Sequence, residues 1–237
     1  MSAAASTPSH AAGLLPPPAL PPVRHEVVDP ADKEAVAWLC GLLHTGRADL
    51  YGQDEADLAL LPTLARTWMR RGEQRKVPAP GTNRKCSVSA TIDLGEGWLW
   101  WFDHPKRSAV QFGVTLFACA NRSERRGRLA VVLVDNAPSH QVGKTGIVRR
   151  FLNAMAGRVV LVFQPKYSPE SQPTERLWRR VPFRAARPNV THNHTRATLE
   201  QLLDDSDAWL AHTAAHPAGI LQMLGLTVER LPFSMAA

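Results

Sequence analysis

Hydrophobic positions recur at helical spacing near the start of the chain. In the segment DPADKEAVAWLCGLLHTG, the apolar residues between Val36 and Leu43 repeat at the three- and four-residue intervals of one helix face. Asp29 is expected to cap this helix, with Pro30 at the first helical position, and Gly46 is expected to end it. The pattern predicts a short amphipathic helix.

The next three hydrophobic segments have the period of strands. ADLYGQD predicts a short strand that ends at Asp54, KCSVSATI alternates between apolar and polar residues, and GWLWWFD is an aromatic strand. Gly95 and Gly97 mark the turn between the last two segments. Three strands joined by loops predict an antiparallel meander.

Helical and uninterrupted apolar segments then alternate. SAVQFGVTLFACANRS and TGIVRRFLNAMAG are typical of helices, whereas LAVVLVD and RVVLVF are runs of buried-strand residues. Uninterrupted Val and Leu runs separated by helices indicate parallel strands that are covered on both faces. Further helices are predicted from Pro173 to Arg180 and from about Thr195.

The predicted elements add up to one α/β domain with a mixed five-stranded sheet flanked by helices. This is the element order of the ribonuclease H type of fold. Residues 1–24 are rich in Ala, Ser and Pro and are expected to form a flexible leader, so the predicted domain covers residues 25–237.

Composition excludes the membrane class and argues against export. The longest apolar segment, AVQFGVTLFACA, contains Gln111 and falls short of the roughly 18 residues that a membrane span needs. The leader has prolines where a signal peptide needs an apolar helix. The 3 cysteines form no evident disulfide framework, which suits the reducing cytoplasm.

Charge is distributed unevenly along the chain. The 237 residues include 28 Lys and Arg and 21 Asp and Glu, a net charge of +7. Residues 26–57 are acidic, whereas residues 66–85 are basic and contain Arg66, Arg70, Arg71, Arg75, Lys76, Arg84 and Lys85. A basic surface favours a polyanion such as nucleic acid; a solvated surface without a partner is the alternative.

Three acidic residues are candidates for chemistry. Asp135 follows a buried strand, where ligands collect in open α/β sheets, and Asp54 would emerge at the same edge if the two strands were parallel neighbours. Glu175 falls in the first turn of the helix that begins at Pro173. Taken singly, Asp135 and Glu175 also fit the simpler roles of loop cap and helix cap.

A cluster of three carboxylates favours hard divalent cations. Carboxylates at one sheet edge repel each other, and bound Mg²⁺ or Mn²⁺ would remove that repulsion. Zinc would ask for His or Cys ligands, which are not clustered in this sequence. Two such ions can activate an attacking oxygen and stabilise a leaving oxygen at phosphorus, so the pattern indicates two-metal phosphodiester chemistry.

Three segments carry a family resemblance. LYGQDEADLALLPTLARTWMRRGEQ, VVLVDNAPSH and FQPKYSPESQPTERLW resemble the three blocks of DDE transposases of the mariner and bacterial insertion-sequence branch. The resemblance covers about residues 30–225 and implies that Asp54, Asp135 and Glu175 bind two Mg²⁺ or Mn²⁺ ions in a ribonuclease H fold. Trp178 is expected to pack the third block's helix against the sheet and so to aim Glu175.

The resemblance implies a transposase that cleaves transposon ends and joins 3′ hydroxyls to target DNA. A non-catalytic DNA-binding remnant and a stand-alone nuclease are the alternatives. Such transposases carry helix-turn-helix domains before the catalytic part, and only the leader and one helix precede Asp54 here. We therefore expect an upstream helix-turn-helix polypeptide, a homodimer on paired ends, and a cytoplasmic, nucleoid-associated protein.

Basic residues near the candidate site are expected to contact DNA phosphates. His140, shortly after Asp135, is expected to touch the substrate or orient the site, unless it is simply a hydrogen-bonding loop residue. A second cluster, Arg122, Arg125, Arg126 and Arg128, is expected to be a solvated loop. The predicted DNA-contacting residues are Arg70, Arg71, Lys76, His140, Lys166, Arg176, Arg179 and Arg180.

Overall fold

The computed structural model describes residues 20, 23, 26–62, 70–73, 76, 78, 81–143, 146–165, 173–180 and 196–225. The predicted leader lies almost wholly outside them, so it stays a prediction. The elements are β1 (Val27–Val28), α1 (Lys33–His44), β2 (Ala48–Ala59), β3 (Lys85–Asp93), β4 (Leu99–His104), α2 (Ala109–Glu124), β5 (Leu129–Val134), α3 (Ile147–Ala154), β6 (Val159–Phe163), α4 (Pro173–Arg180), α5 (Leu199–Ala214) and α6 (Pro217–Leu224).

Within the described residues the sheet has six strands, in the order β1-β6-β5-β2-β3-β4. β1, β6, β5 and β2 run parallel, and β3 and β4 complete an antiparallel meander with β2. The prediction of five strands is wrong by one, because β1 has only 2 residues and leaves no periodic pattern. The α/β class and the mixed sheet are confirmed.

Two helices begin later than the sequence predicts. Asp32, and not Asp29, caps α1: its carboxylate accepts hydrogen bonds from the amides of Glu34 and Ala35, both at 3.1 Å. Asp29 instead accepts the amide of Asp32 in the preceding turn. Similarly, Thr198 caps α5, which begins at Leu199 and not near Thr195. Helix ends depend on such local bonds, which compete with one another in a sequence rich in capping residues.

The sheet separates two apolar cores. One core lies on the face covered by α1, α4, α5 and α6, and includes Leu50 and Leu58 of β2 with Leu177 and Trp178 of α4. The other lies beneath α2 and α3 and includes Tyr51. Side chains alternate along a strand, so Asp54 shares the face of Leu50, whereas Glu55 shares the face of Tyr51.

The second arginine cluster is not a solvated loop. Arg128 contacts buried Asp49 at 2.9 Å, and Arg122 contacts Glu96 at 2.8 Å. Arg126 contacts Asp49 and pairs with Glu96. The prediction is wrong for these three arginines because their acidic partners are distant in sequence, on β2 and after β3. Among the described helices, none is long and apolar enough to span a membrane.

Candidate active site

Asp54 and Asp135 lie beside each other on neighbouring parallel strands. The described pairing of β2 with β5 ends at Gly52 opposite Leu133. Two further residues in the same register bring Asp54 level with Asp135, which directly follows β5. Both residues continue the face of the core that holds Leu50 and Leu133. The sheet thus presents two carboxylates side by side.

Asp54 does not end its strand, which corrects the sequence prediction. β2 extends to Ala59, and its residues from Tyr51 onward also pair antiparallel with β3. β2 extends further than its parallel neighbour β5. Asp54 therefore lies beside the end of β5, and beyond this point β2 pairs with β3 alone. The site therefore opens at the end of β5, not at the end of β2.

Helix α4 packs against this face through the residue next to Glu175. A Cβ atom added to Gly52 would lie 2.6 Å from Oγ1 of Thr174, which is fully buried. Gly52 thus allows α4 to approach the strand two residues before Asp54. Leu177 and Trp178 are buried in the same core, which confirms that Trp178 packs α4 against the sheet. Glu175 is partly exposed in the first turn of α4.

The aspartate pair suits a hard cation, but the three acids do not already form a cluster. Among the described residues, no three His, Cys, Asp or Glu side chains lie close enough together to hold a metal ion. Asp54 and Asp135 offer a pair of oxygen ligands that fits a divalent cation. Their neighbouring negative charges repel each other, and a bound cation would remove that repulsion. The assignment of Glu175 as a third ligand stays a prediction.

The pKa of Asp54 reflects this crowding. Burial raises its pKa to about 6, and the negative charge of Asp135 acts in the same direction. The amide of Glu55, which donates to Oδ1 of Asp54 at 2.8 Å, and the charge of Arg107 act against the rise. A bound cation would favour the ionised carboxylate that these surroundings oppose.

Asp135 has the opposite shift. Burial acts to raise its pKa, but a hydrogen bond from His140 and the charge of His140 outweigh burial, so the pKa lies below its ordinary value. Nδ1 of His140 is 2.6 Å from Oδ1 of Asp135, and the amide of Ala137 donates to the same oxygen at 2.9 Å. For His140, burial acts to lower the pKa, whereas its hydrogen bond to Asp135 and the nearby carboxylate of Glu55 raise it to about 9.

His140 is buried, and its contact with DNA stays a prediction. Only 1% of its surface is exposed. Its contact with Asp135 instead favours the role of orienting the site. The partner on its other side, Glu55, was not predicted, because it is 85 positions away and no local pattern links the two residues.

Glu55 lies among polar side chains on the face of Tyr51; Ser89 and His104 are buried, and Arg107 is exposed. Oε1 of Glu55 accepts a hydrogen bond from Oγ of Ser89 at 3.2 Å, and Ser89 also contacts Nε2 of His104 at 2.9 Å. Arg107 lies 3.5 Å from Oε2 of Glu55 and donates to the backbone oxygen of Glu55 at 3.1 Å. These residues were missed because the partners of Glu55 are distant in sequence: Ser89 lies on β3, and Arg107 follows β4.

The other predicted DNA-contacting residues lie in different settings. Arg70, Arg71 and Lys76 are exposed on the connection between β2 and β3. Arg176 is exposed, but its guanidinium donates to the backbone oxygen of Leu224 at the end of α6. Arg179 and Arg180 belong to the last turn of α4, and their side chains, like Lys166, lie outside the described residues. These DNA contacts stay predictions.

Comparison with known proteins agrees with this geometry. The family model described as DDE superfamily endonuclease matches residues 49–197, which is more than half of the chain. The insertion element IS630 uncharacterized 39 kDa protein of Shigella sonnei is 26% identical over 193 residues, 81% of this chain and 53% of that protein. The chain thus spans about half the length of this relative.

Two solved structures have the same fold. A pre-cleavage Mos1 transpososome matches 80% of this chain and 57% of its own, with a TM-score of 0.54 and 16% identity. The mariner Mos1 paired end complex with Mg matches 83% of this chain and 60% of its own, with a TM-score of 0.53 and 16% identity. These matches confirm the predicted ribonuclease H-like fold.

Proposed function

We propose that this chain, which belongs to the DDE superfamily endonuclease family, is the catalytic part of a DNA transposase. One observation carries the proposal. Asp54 and Asp135 lie level on adjacent parallel strands, and α4 docks beside them on the same face through Gly52 and Thr174. This arrangement brings the two aspartates and the helix that carries Glu175 to one face of the sheet.

Asp54, Asp135 and Glu175 would hold two Mg²⁺ or Mn²⁺ ions. When bound, the ions would activate the attacking oxygen and stabilise the leaving oxygen at phosphorus. The protein's part is to supply oxygen ligands at fixed positions: Asp135 is held ionised by His140, and Asp54 is held on a strand that is paired through β3. The paired end complex of Mos1 with Mg supports this choice of cation.

The proposed reaction has two stages at the same acids. Hydrolysis of a phosphodiester frees the 3′ hydroxyl at a transposon end. That hydroxyl then attacks a target phosphodiester, and the 3′ oxygen of the target strand leaves. Neither stage needs a covalent intermediate with the protein, because water and the DNA 3′ hydroxyl are the nucleophiles. Arg70, Arg71 and Lys76, exposed on the loop after β2, are suited to neutralise phosphates of the DNA.

Recognition of the transposon ends belongs, in this proposal, to a helix-turn-helix part outside this chain. Support comes from the relative of Shigella sonnei, of which this chain covers 53%. A homodimer would hold paired ends here, and the Mos1 structure is likewise a paired end complex. The place of action is the nucleoid.

A nicking and strand-transfer assay tests the proposal. The chain is incubated with supercoiled plasmid and with duplexes that expose a 3′ hydroxyl, with and without Mg²⁺ or Mn²⁺. We expect slow, metal-dependent nicking and joined product from the natural chain, and neither from Asp54→Asn or Asp135→Asn. Asp103→Asn is the control, because Asp103 is an exposed acid on β4 of the same sheet.

The outcomes separate the alternatives. Nicking without joined product would indicate a stand-alone nuclease, and metal-independent DNA binding without nicking would indicate a non-catalytic remnant. An Asp135→Asn variant that nicks at the natural rate would contradict the assignment of the acids. Efficient cleavage at one defined sequence by this chain alone would contradict the proposed external recognition part.

A further inference from the structure

Asp135 is held from behind by a buried side chain. Nδ1 of His140 lies 2.6 Å from Oδ1 of Asp135, and the amide of Ala137 donates to that same oxygen. Oδ1 therefore accepts both of these hydrogen bonds, and 44% of the Asp135 side-chain surface is exposed. The carboxylate is thus fixed through one oxygen and can offer the other to a ligand.

His140 is itself fixed on three sides. Its ring packs against Phe112 with centroids 4.3 Å apart, and its Nε2 lies 3.9 Å from Oε1 of Glu55. Its backbone amide donates to the oxygen of Ala137, which closes the turn after Asp135. Asn136, in that turn, donates to the backbone oxygen of Gln164 at 2.7 Å. The ring thus has little freedom to leave Asp135.

Glu55 connects this support to the other aspartate. Alternation along β2 directs Asp54 to the α4 face and the next residue, Glu55, to the α2 face, where His140 lies. Glu55 is 7% exposed and is held by Ser89 and Arg107. Its amide also donates to Asp54. Asp54, Glu55, His140 and Asp135 therefore form one connected set across the strand.

We propose that Glu55 and His140 are positioning residues that orient Asp135 for metal binding from the opposite face of the sheet. This inference rests on the proposed function and deepens it. Partners of metal-ligating side chains commonly set ligand orientation, and their loss typically weakens metal affinity by about 10- to 100-fold. A buried ion pair does not of itself stabilise a fold, so a gain in stability does not explain why Glu55 lies beside His140.

Two substitutions of His140 separate orientation from simple packing. Asn places an amide N–H near the Nδ1 position, so His140→Asn retains a donor to Asp135 and loses the reach toward Glu55. Gln places its amide near the Nε2 position, so His140→Gln loses the donor to Asp135. Tyr51→Phe is the matched control, because Tyr51 is also buried on the α2 side of β2 but its hydroxyl contacts Ser123 and not Asp135.

The measurement is the Mn²⁺ affinity of the purified full chain, by electron paramagnetic resonance of free Mn²⁺, at a temperature where circular dichroism shows a folded protein. We expect His140→Gln to bind Mn²⁺ about 10- to 100-fold more weakly. His140→Asn should lose less affinity than His140→Gln, because it keeps the donor to Asp135 and loses only the contact with Glu55. Glu55→Gln should lose about as much affinity as His140→Asn, and Tyr51→Phe should keep the natural affinity.

Nicking supplies a second measurement. If only the orientation of Asp135 is lost, higher Mn²⁺ concentrations should restore the nicking rate of His140→Gln, which a general packing defect would not allow. A folded His140→Gln with natural Mn²⁺ affinity would overturn the inference, as would equal losses in His140→Gln and His140→Asn. If His140→Gln does not fold, natural Mn²⁺ affinity in Glu55→Gln overturns it.

Asp135→Asn distinguishes failure of this inference from failure of the proposed function. If Asp135→Asn binds Mn²⁺ as tightly as the natural chain, the proposed metal site itself is wrong. If Asp135→Asn loses Mn²⁺ binding while the His140 and Glu55 variants retain it, the metal site stands and the positioning role is wrong.

Discussion

Gly52→Ala should displace the start of α4 and with it Glu175. The new Cβ would lie 2.6 Å from Oγ1 of Thr174, and its contacts with Leu94, at 3.5 and 3.8 Å, are ordinary. The clash therefore involves one neighbour, which immediately precedes Glu175. Thr174 is fully buried, so it has no solvent into which it could move.

The magnitude follows from the distance. An ordinary contact begins at 3.4 Å, so Thr174 must move by about 0.8 Å. Overpacking of this kind typically lowers the free energy of unfolding by about 1–3 kcal/mol. Replacing a glycine in a strand interior raises it by about 0.5–1 kcal/mol. We expect the free energy of unfolding to fall by about 1–2 kcal/mol. The nicking rate should fall by about 10- to 100-fold, because displacements near 1 Å can cost about 10²-fold.

A second substitution at Thr174 tests the cause. Thr174→Ala removes Oγ1 and should restore the stability and the nicking rate of Gly52→Ala. Thr174→Val keeps an atom of similar size at the clashing position, so it should not restore them. Oγ1 of Thr174 is buried without a hydrogen-bond partner among the described groups, so Thr174→Ala alone should lose no hydrogen bond.

The assays are thermal unfolding by circular dichroism and metal-dependent nicking below the lowest midpoint. The reasoning is refuted if Gly52→Ala has the natural midpoint and rate. It is refuted equally if Thr174→Val restores Gly52→Ala as well as Thr174→Ala does, because the clash would then not lie at Oγ1.

Three further predictions concern the rest of the fold. Gly113→Ala places a Cβ directly against the ring of Phe151, so it should lower the free energy of unfolding by about 1–3 kcal/mol, and Phe151→Leu should partly restore it in thermal unfolding. Arg128→Ala removes a 2.9 Å contact to Asp49, whose side chain is 4% exposed. The free energy of unfolding in urea should fall by about 1–3 kcal/mol. A similar fall in the double variant Asp49→Asn/Arg128→Ala would contradict the ion-pair explanation. Cys119 is fully buried, and burial raises the pKa of its thiol. Alkylation of the folded chain should therefore modify the partly exposed Cys40 first, as measured by mass spectrometry. Early modification of Cys119 would contradict its burial.

Most elements of the fold could be predicted because their hydrophobic periods are local. LAVVLVD and RVVLVF indicated the parallel strands, and the capping residue Ser108 fits the start of α2. The end of β2 could not be predicted in this way. Its last residues pair with β3 alone, and the acids Glu55 and Asp57 after Asp54 fit a loop as well as a half-buried strand.

The predicted acids have signals in their local sequence, whereas the residues that were missed depend on partners far away in the sequence. Asp135 and Glu175 are marked locally, by the end of an apolar strand and by the start of a helix. The contact between His140 and Glu55 depends on two elements that are distant along the chain, so neither segment contains a signal for it. The same holds for Arg128, whose partner Asp49 lies at the start of β2.

The adjacent acids Asp54 and Glu55 have different surroundings because a strand directs successive side chains to opposite faces. Asp54 faces Asp135, and burial together with that charge raises its pKa. Glu55 faces His140, whose other nitrogen holds Asp135 in its ionised form. One dipeptide therefore supplies a carboxylate to the candidate metal site and also supports the neighbouring carboxylate from behind. Shifting β2 by one residue would exchange the two faces, so the pairing of β2 with β3 and β5 fixes both contributions at once.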